Sequence, residues 1–111
     1  MNESHDAEVR EIVERLKADN PNLRLFEIVL PGREDEVFLA RKAPWNEYKK
    51  LIGQVKNEAD ANELLVQKFL VHPKPDYEAM QNEWEPGLVV TLAQQIQKGM
   101  GFSGGASIKN W

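Results

Sequence analysis

The second half of this 111-residue chain is cut by proline and glycine into apolar segments of helical length, and those cuts constrain the fold most. Leu64-Leu65-Val66 through Phe69-Leu70-Val71 stops at His72-Pro73. A shorter segment runs from Asp76 to Trp84. Pro86-Gly87 then opens Leu88-Val89-Val90 through Ile96, which closes at Gly99-Met100-Gly101-Phe102. Proline cannot continue a helical hydrogen-bond ladder, and glycine is favoured just past a helix end. The expected product is a small helical body, built to pack and to be bound.

The first half adds one helix and one hairpin. Val9, Ile12, Val13 and Leu16 recur at i, i+3, i+4 and i+7, which predicts an amphipathic helix from about His5 to Lys17. Asn20-Pro21-Asn22 ends it. From Leu23 to Leu30 the period shortens to two, with Phe26, Ile28 and Leu30 on one side and Leu25, Glu27 and Val29 on the other. Pro31-Gly32 makes a turn, and Glu36 to Arg41 is the return strand of a β-hairpin. A hairpin alone is marginal in water, so it must rest on helices or pair with further strand.

Ala43-Pro44 starts the next helix, whose expected apolar face is Trp45, Tyr48, Ile52 and Val55. Asp60 with Glu63 resembles a capping box for the Leu64 to Val71 helix, the expected buried centre. Asp76 is the expected N-cap of the segment ending at Trp84. The last helix carries a stripe of Val89, Leu92, Ala93, Ile96 and Met100. The expected fold class is thus α+β, mostly α: an N-terminal helix, one hairpin, then about four helices. Residues 1–102 form one domain (1–20 helix, 23–42 hairpin, 44–102 helical body), and 103–111 are expected to be a flexible tail.

Composition narrows the function. Hydrophobic residues at 41% with 29% charged suit a soluble globular protein. Cysteine is absent, which removes thiolate nucleophiles, disulfides and cysteine-based zinc sites together. No secretory signal or membrane span is visible, so the expected compartment is cytoplasmic. The net charge of −4 argues against a dedicated nucleic-acid binder, although Arg41 to Lys56 holds five bases against Glu47 alone. Asn57 to Glu85 is acidic, and no acid follows Pro86.

Candidate chemistry dissolves on inspection. Gly99 to Gly104 matches G-x-G-x-x-G by letter, but it follows a helix and the sequence has no acid ~20 residues on for a ribose. It reads as a glycine C-cap. His5 reads as a solvated first-turn residue and His72 as a helix-terminal one, with no spacing for a metal pair. Glu83 and Glu85 are two apart and do not share a helix face. Catalytic, metal and cofactor-binding residues: none are nominated. Trp45 and Trp84 are expected in the core. Exposed aromatics often anchor partners, so the residues expected to contact one are Phe102, Trp111, Met100 and Trp84.

Taken in order, three stretches resemble the phage tail assembly chaperone family. They are Phe38-Leu39-Ala40-Arg41-Lys42-Ala43-Pro44 leading into Trp45-Asn46-Glu47-Tyr48-Lys49-Lys50, then Leu65 through Pro73, then Pro86-Gly87-Leu88 through Ile96 with Gly101-Phe102. The resemblance spans about Leu25 to Phe102. It implies a non-enzymatic protein of the bacterial host cytoplasm that binds the phage tape-measure protein and keeps it soluble during tail assembly. It implies no cofactor and no catalytic residue, and it is compatible with self-association. The rival expectations are a structural or adaptor protein retained in the virion, and a helical DNA-binding regulator using 41–56.

Overall fold

A computed structural model describes residues 3–102 and 109–111. The chain runs α1 (Glu3–Asp19), β1 (Leu25–Ile28), β2 (Phe38–Arg41), α2 (Trp45–Ile52), α3 (Glu58–Phe69), β3 (Leu70–His72), α4 (Tyr77–Asn82), α5 (Pro86–Gly99) and β4 (Lys109–Asn110). The class is α+β, mostly helical, around an antiparallel sheet of order β3-β2-β1-β4. Among the described residues, no helix is long and apolar enough to cross a membrane.

The two central strands, β1 and β2, are buried on both faces, which is why they read as nearly continuous apolar runs. Val9, Ile12 and Val13 of α1 cover Leu25, Val37 and Leu39 on one face. On the other, Phe26, Ile28, Phe38 and Ala40 meet Leu65, Val66 and Phe69 of α3 and Leu92, Ala93 and Ile96 of α5. Leu51 of α2 and Met80 of α4 close the sides of that second core. Each such large side chain contributes about 1.5–3 kcal/mol by leaving water. The hairpin register pairs Leu25 with Arg41 and Ile28 with Phe38, and the Arg33 N–H donates to the Leu30 carbonyl at 2.9 Å across the turn.

Several expectations are corrected. The Leu64 to Val71 run is not one helix: α3 ends at Phe69, and Leu70–His72 becomes an edge strand on β2. The apolar run gave no break, because both halves are buried and burial alone does not set the period. The α3 N-cap is Asn57, whose Oδ1 accepts from the Asp60 N–H at 2.8 Å, so Asp60 is inside the helix rather than its cap. The short helix α4 stops at Asn82, before Trp84. The C-terminus is also more ordered than expected. Lys109–Asn110 pair with Phe26 and Glu27, and the Trp111 N–H donates to the Leu25 carbonyl at 2.9 Å. Residues 103–108 of the expected tail lie outside the described residues.

His72 belongs to β3 rather than to a helix end. Burial lowers its pKa from the ordinary 6.5, the Arg15 charge adds to this, and Glu8 opposes it. Its folded pKa lies below the unfolded value, so folding favours the neutral ring. Stability is then complete above about pH 6.5 and is lost as pH falls through the folded pKa. Urea midpoints measured across this range should decline toward acid in the wild type, and His72→Gln should flatten that decline. An unchanged pH profile in the variant would show that His72 is not the group responsible.

Candidate functional site

α2 presents the largest exposed aromatic of the described residues. Pro44 sits at the N-cap with extended geometry and sets the first turn, so Trp45 is the first helical residue. Leu51 is the residue of this helix that enters the core, while Tyr48 and Ile52 pack half-buried at its edge. Trp45 projects from the far end of the helix and is 66% exposed, which corrects its expected place in the core. Its ring stacks on Tyr48, with centroids 6.2 Å apart and planes 23° from parallel.

Phe102 extends this row through the way α5 ends. Gly101 adopts φ +98°, a left-handed conformation that costs a side-chain-bearing residue energy. The Gly101 N–H donates to the Lys98 carbonyl and the Phe102 N–H to the Gln97 carbonyl, each at 3.1 Å. These two bonds are a Schellman cap, so the expectation of a glycine helix stop at Gly99 to Gly104 holds for its described part. The cap turns Phe102 onto Tyr48, with centroids 5.3 Å apart and planes at 45°. Phe102 stays 44% exposed. Gln97 Nε2 donates to the Tyr48 hydroxyl at 3.3 Å and fixes the middle ring. Trp45, Tyr48 and Phe102 thus form one continuous ridge drawn from two helices.

The four residues expected to contact a partner are not brought together. Phe102 is on the ridge. Met100 and Trp84 are half-buried against the core around α5, one beyond each end of that 14-residue helix and so roughly 20 Å apart. Trp111 lies on the opposite face of the sheet, among the residues of α1. Its indole Nε1 donates to Glu27 Oε1 at 3.3 Å, Lys17 Nζ donates to its carbonyl oxygen at 2.6 Å, and Lys109 Nζ lies 4.6 Å from its ring centroid. Trp111 is therefore committed within the fold. Trp45 and Tyr48, rather than Trp111, stand beside Phe102 on the exposed ridge, and the signal for Trp45 was present in the sequence. An aromatic directly after a proline N-cap stands at a helix end, where it is least able to reach a core.

Glu27 is a buried carboxylate inside the sheet. His5 Nε2 donates to its Oε2 at 2.8 Å, and the two residues are 8% and 5% exposed. His5 is thus not a solvated first-turn residue, because α1 lies on the sheet face that Glu27 occupies. The alternation had put Glu27 between Leu25 and Val29 on one face, and a charge in such a row needs a partner across it.

Beside the ridge a cleft of about 480 Å³ opens where β1 begins and β2 ends, lined by Asn20, Asn22, Arg24, Arg41, Lys42, Pro44 and Glu47 among others. A hollow of about 270 Å³ shares Arg24 and Lys42 with it and runs on to Lys17 and Trp111. Arg41 is neutralised there: its Nη1 and Nη2 reach Glu47 at 3.1 and 2.5 Å, and its guanidinium covers the Phe69 ring at 4.8 Å. That fork holds the Glu47 carboxyl below the usual carboxylate range. A cleft of about 510 Å³ at the start of α5 differs in charge, because its Arg33 is spanned by Glu36 and Glu85 at 3.6 and 3.8 Å. Among the described residues, no group of three or more His, Asp or Glu is placed to hold a metal ion. Compared with family models, with curated proteins and with solved structures, the chain has no match.

Proposed function

We propose that this chain is a non-enzymatic tail assembly chaperone, acting in the cytoplasm of a bacterial host, that holds helical segments of a phage tape-measure protein in solution. The observation that supports this reading is the Trp45–Tyr48–Phe102 ridge, a row of aromatics that the fold leaves half in water. Apolar surface of this kind binds the apolar stripe of an amphipathic helix, with aromatic anchors contributing most of the affinity. Its two supports, a proline-started helix and a glycine-capped one, lie within the stretches that resemble the chaperone family.

The test is co-expression with a phage tape-measure protein from the same genome. A soluble complex is expected, and the chaperone should be missing from finished virions. Trp45→Ala should weaken the complex by about 2 kcal/mol, roughly thirtyfold, as expected of an aromatic hot spot. The melting temperature should barely move, because the side chain is exposed. No complex and no gain in tape-measure solubility would reject the chaperone reading. Recovery of the chain from purified virions would favour a structural or adaptor role.

A further inference from the structure

We propose that the ridge is one half of a two-part site, and that the cleft beside it selects an anionic amphipathic helix. The apolar stripe of such a helix lies on Trp45, Tyr48 and Phe102, while its flanking Asp or Glu carboxylates enter the cleft at Arg24 and Lys42. The proposal rests on reading the chain as a helix-binding protein and adds the charge of what it binds.

Arg24 and Lys42 stand directly opposite each other at the sheet end. The register that pairs Leu25 with Arg41 continues one step outward, and the Lys42 N–H donates to the Arg24 carbonyl at 2.9 Å. Like charges opposed across two strands destabilise each other. The other bases on the sheet and its hairpin turn are compensated: Arg41 by Glu47, Arg33 by Glu36 and Glu85, and Lys109 by Asp6 at 3.4 Å. Among the described residues, the side chains of Arg24 and Lys42 have no ion pair or hydrogen bond, and Lys42 is half-buried in the cleft wall. An incoming carboxylate would relieve a repulsion that no described residue relieves.

The geometry joins this charge to the ridge. The first turn of α2 is the wall between them: Pro44 and Glu47 line the cleft, whereas Trp45 and Tyr48 make the ridge. Lys49 and Lys50 are exposed on the same helix and add to the positive field. A long polyanion fits less well. The chain carries a net −4, and the acidic stretch from Asn57 to Glu85 follows α2 directly. Three aromatics in a row also call for an apolar stripe, which a duplex lacks.

The probes are two synthetic amphipathic peptides of about 20 residues, each with one leucine stripe, flanked by Glu in the first and by Lys in the second. Binding is read by fluorescence anisotropy at several salt concentrations. The Glu peptide should bind at least about tenfold more tightly than the Lys peptide, and its affinity should fall as salt rises. The double substitution Arg24→Glu with Lys42→Glu should abolish or reverse that preference. Arg24→Glu alone, which replaces the repulsion with an opposite-charge pair, should melt at or above the wild type and still lose preference. Trp45→Ala should weaken both peptides alike. Equal binding of the two peptides, binding of neither, an unchanged preference in the double variant, or tighter binding of a duplex oligonucleotide would each overturn the proposal. A Glu preference without any tape-measure complex would reject the chaperone reading and keep the site. A tape-measure complex indifferent to the double variant would do the opposite.

Discussion

Gly99→Ala is expected to destabilise the protein by about 1–3 kcal/mol, although the same change in an open helix would stabilise it by about 1 kcal/mol. The reason is contact. A Cβ built on Gly99 would stand 2.0 Å from Cε2 of Phe26, 2.3 Å from Cζ and 2.4 Å from Cδ2. Phe26 has no freedom to retreat, since it is fully buried in the centre of the sheet with Ile28, Phe69, Leu92 and Ile96 in the same core. Close-packed interiors transmit such an insertion as strain rather than absorb it. Here the clash would push α5 away from β1 and disturb the Schellman cap that places Phe102. A double-mutant cycle makes the cause specific. Shortening the ring with Phe26→Leu should relieve part of the penalty, with a coupling of roughly 0.5–3 kcal/mol between the two positions. Urea unfolding of the four proteins measures it. A Gly99→Ala midpoint equal to or above the wild type would show that the helix does not approach the sheet this closely.

Loss of the His5–Glu27 contact should be the larger effect. Among the described residues, His5→Leu leaves Glu27, whose side chain is 3% exposed, with the 3.3 Å bond from the Trp111 indole alone. Removing one partner of a buried pair costs about 3–5 kcal/mol, because the remaining charged group keeps its desolvation and loses its compensation. Replacing both, His5→Leu with Glu27→Leu, should cost markedly less than His5→Leu alone, since no buried carboxylate is then left without compensation, although the half-buried Trp111 indole N–H loses its bond to Glu27. The ordering matters more than either magnitude. If chemical denaturation finds the double variant less stable than His5→Leu, Glu27 has another partner that supports it, and the account of this face is wrong. The same cycle reports on the C-terminus. Trp111 shares Glu27 with His5, so the single variant should also loosen β4, seen as faster amide exchange at Lys109 and Asn110.

Much of the architecture can be read before any coordinates. The stripe Val9, Ile12, Val13 and Leu16 belongs to a helix with one wet side, and α1 covers the sheet with that stripe. The alternation around Phe26 and Ile28 gives the hairpin, and Pro86 opens α5 as expected. These signals are legible because they depend on local backbone chemistry and on a period that one element alone fixes. The errors share an opposite cause. Leu70 and Val71 continue an apolar run, yet they form an edge strand because β2 has an open edge within reach. Trp45 looks like core and Trp111 like an exposed residue, yet Trp45 stands in water and Trp111 packs among the residues of α1. His5 looks solvated until α1 is laid over Glu27.

The sequence by itself determined that α2 and α5 open at Pro44 and Pro86, which strands turn back on each other, and that the glycine stretch from Gly99 ends the last helix. Those outcomes follow from backbone sterics and from hydrogen-bonding groups that each short segment must satisfy nearby. Only the tertiary structure decided what faces water and what faces the core. The aromatic ridge is assembled from residues 45, 48 and 102, and the opposed Arg24 and Lys42 meet only in the hairpin register. Burial and charge compensation are properties of neighbours in space, and no pattern along the chain names those neighbours.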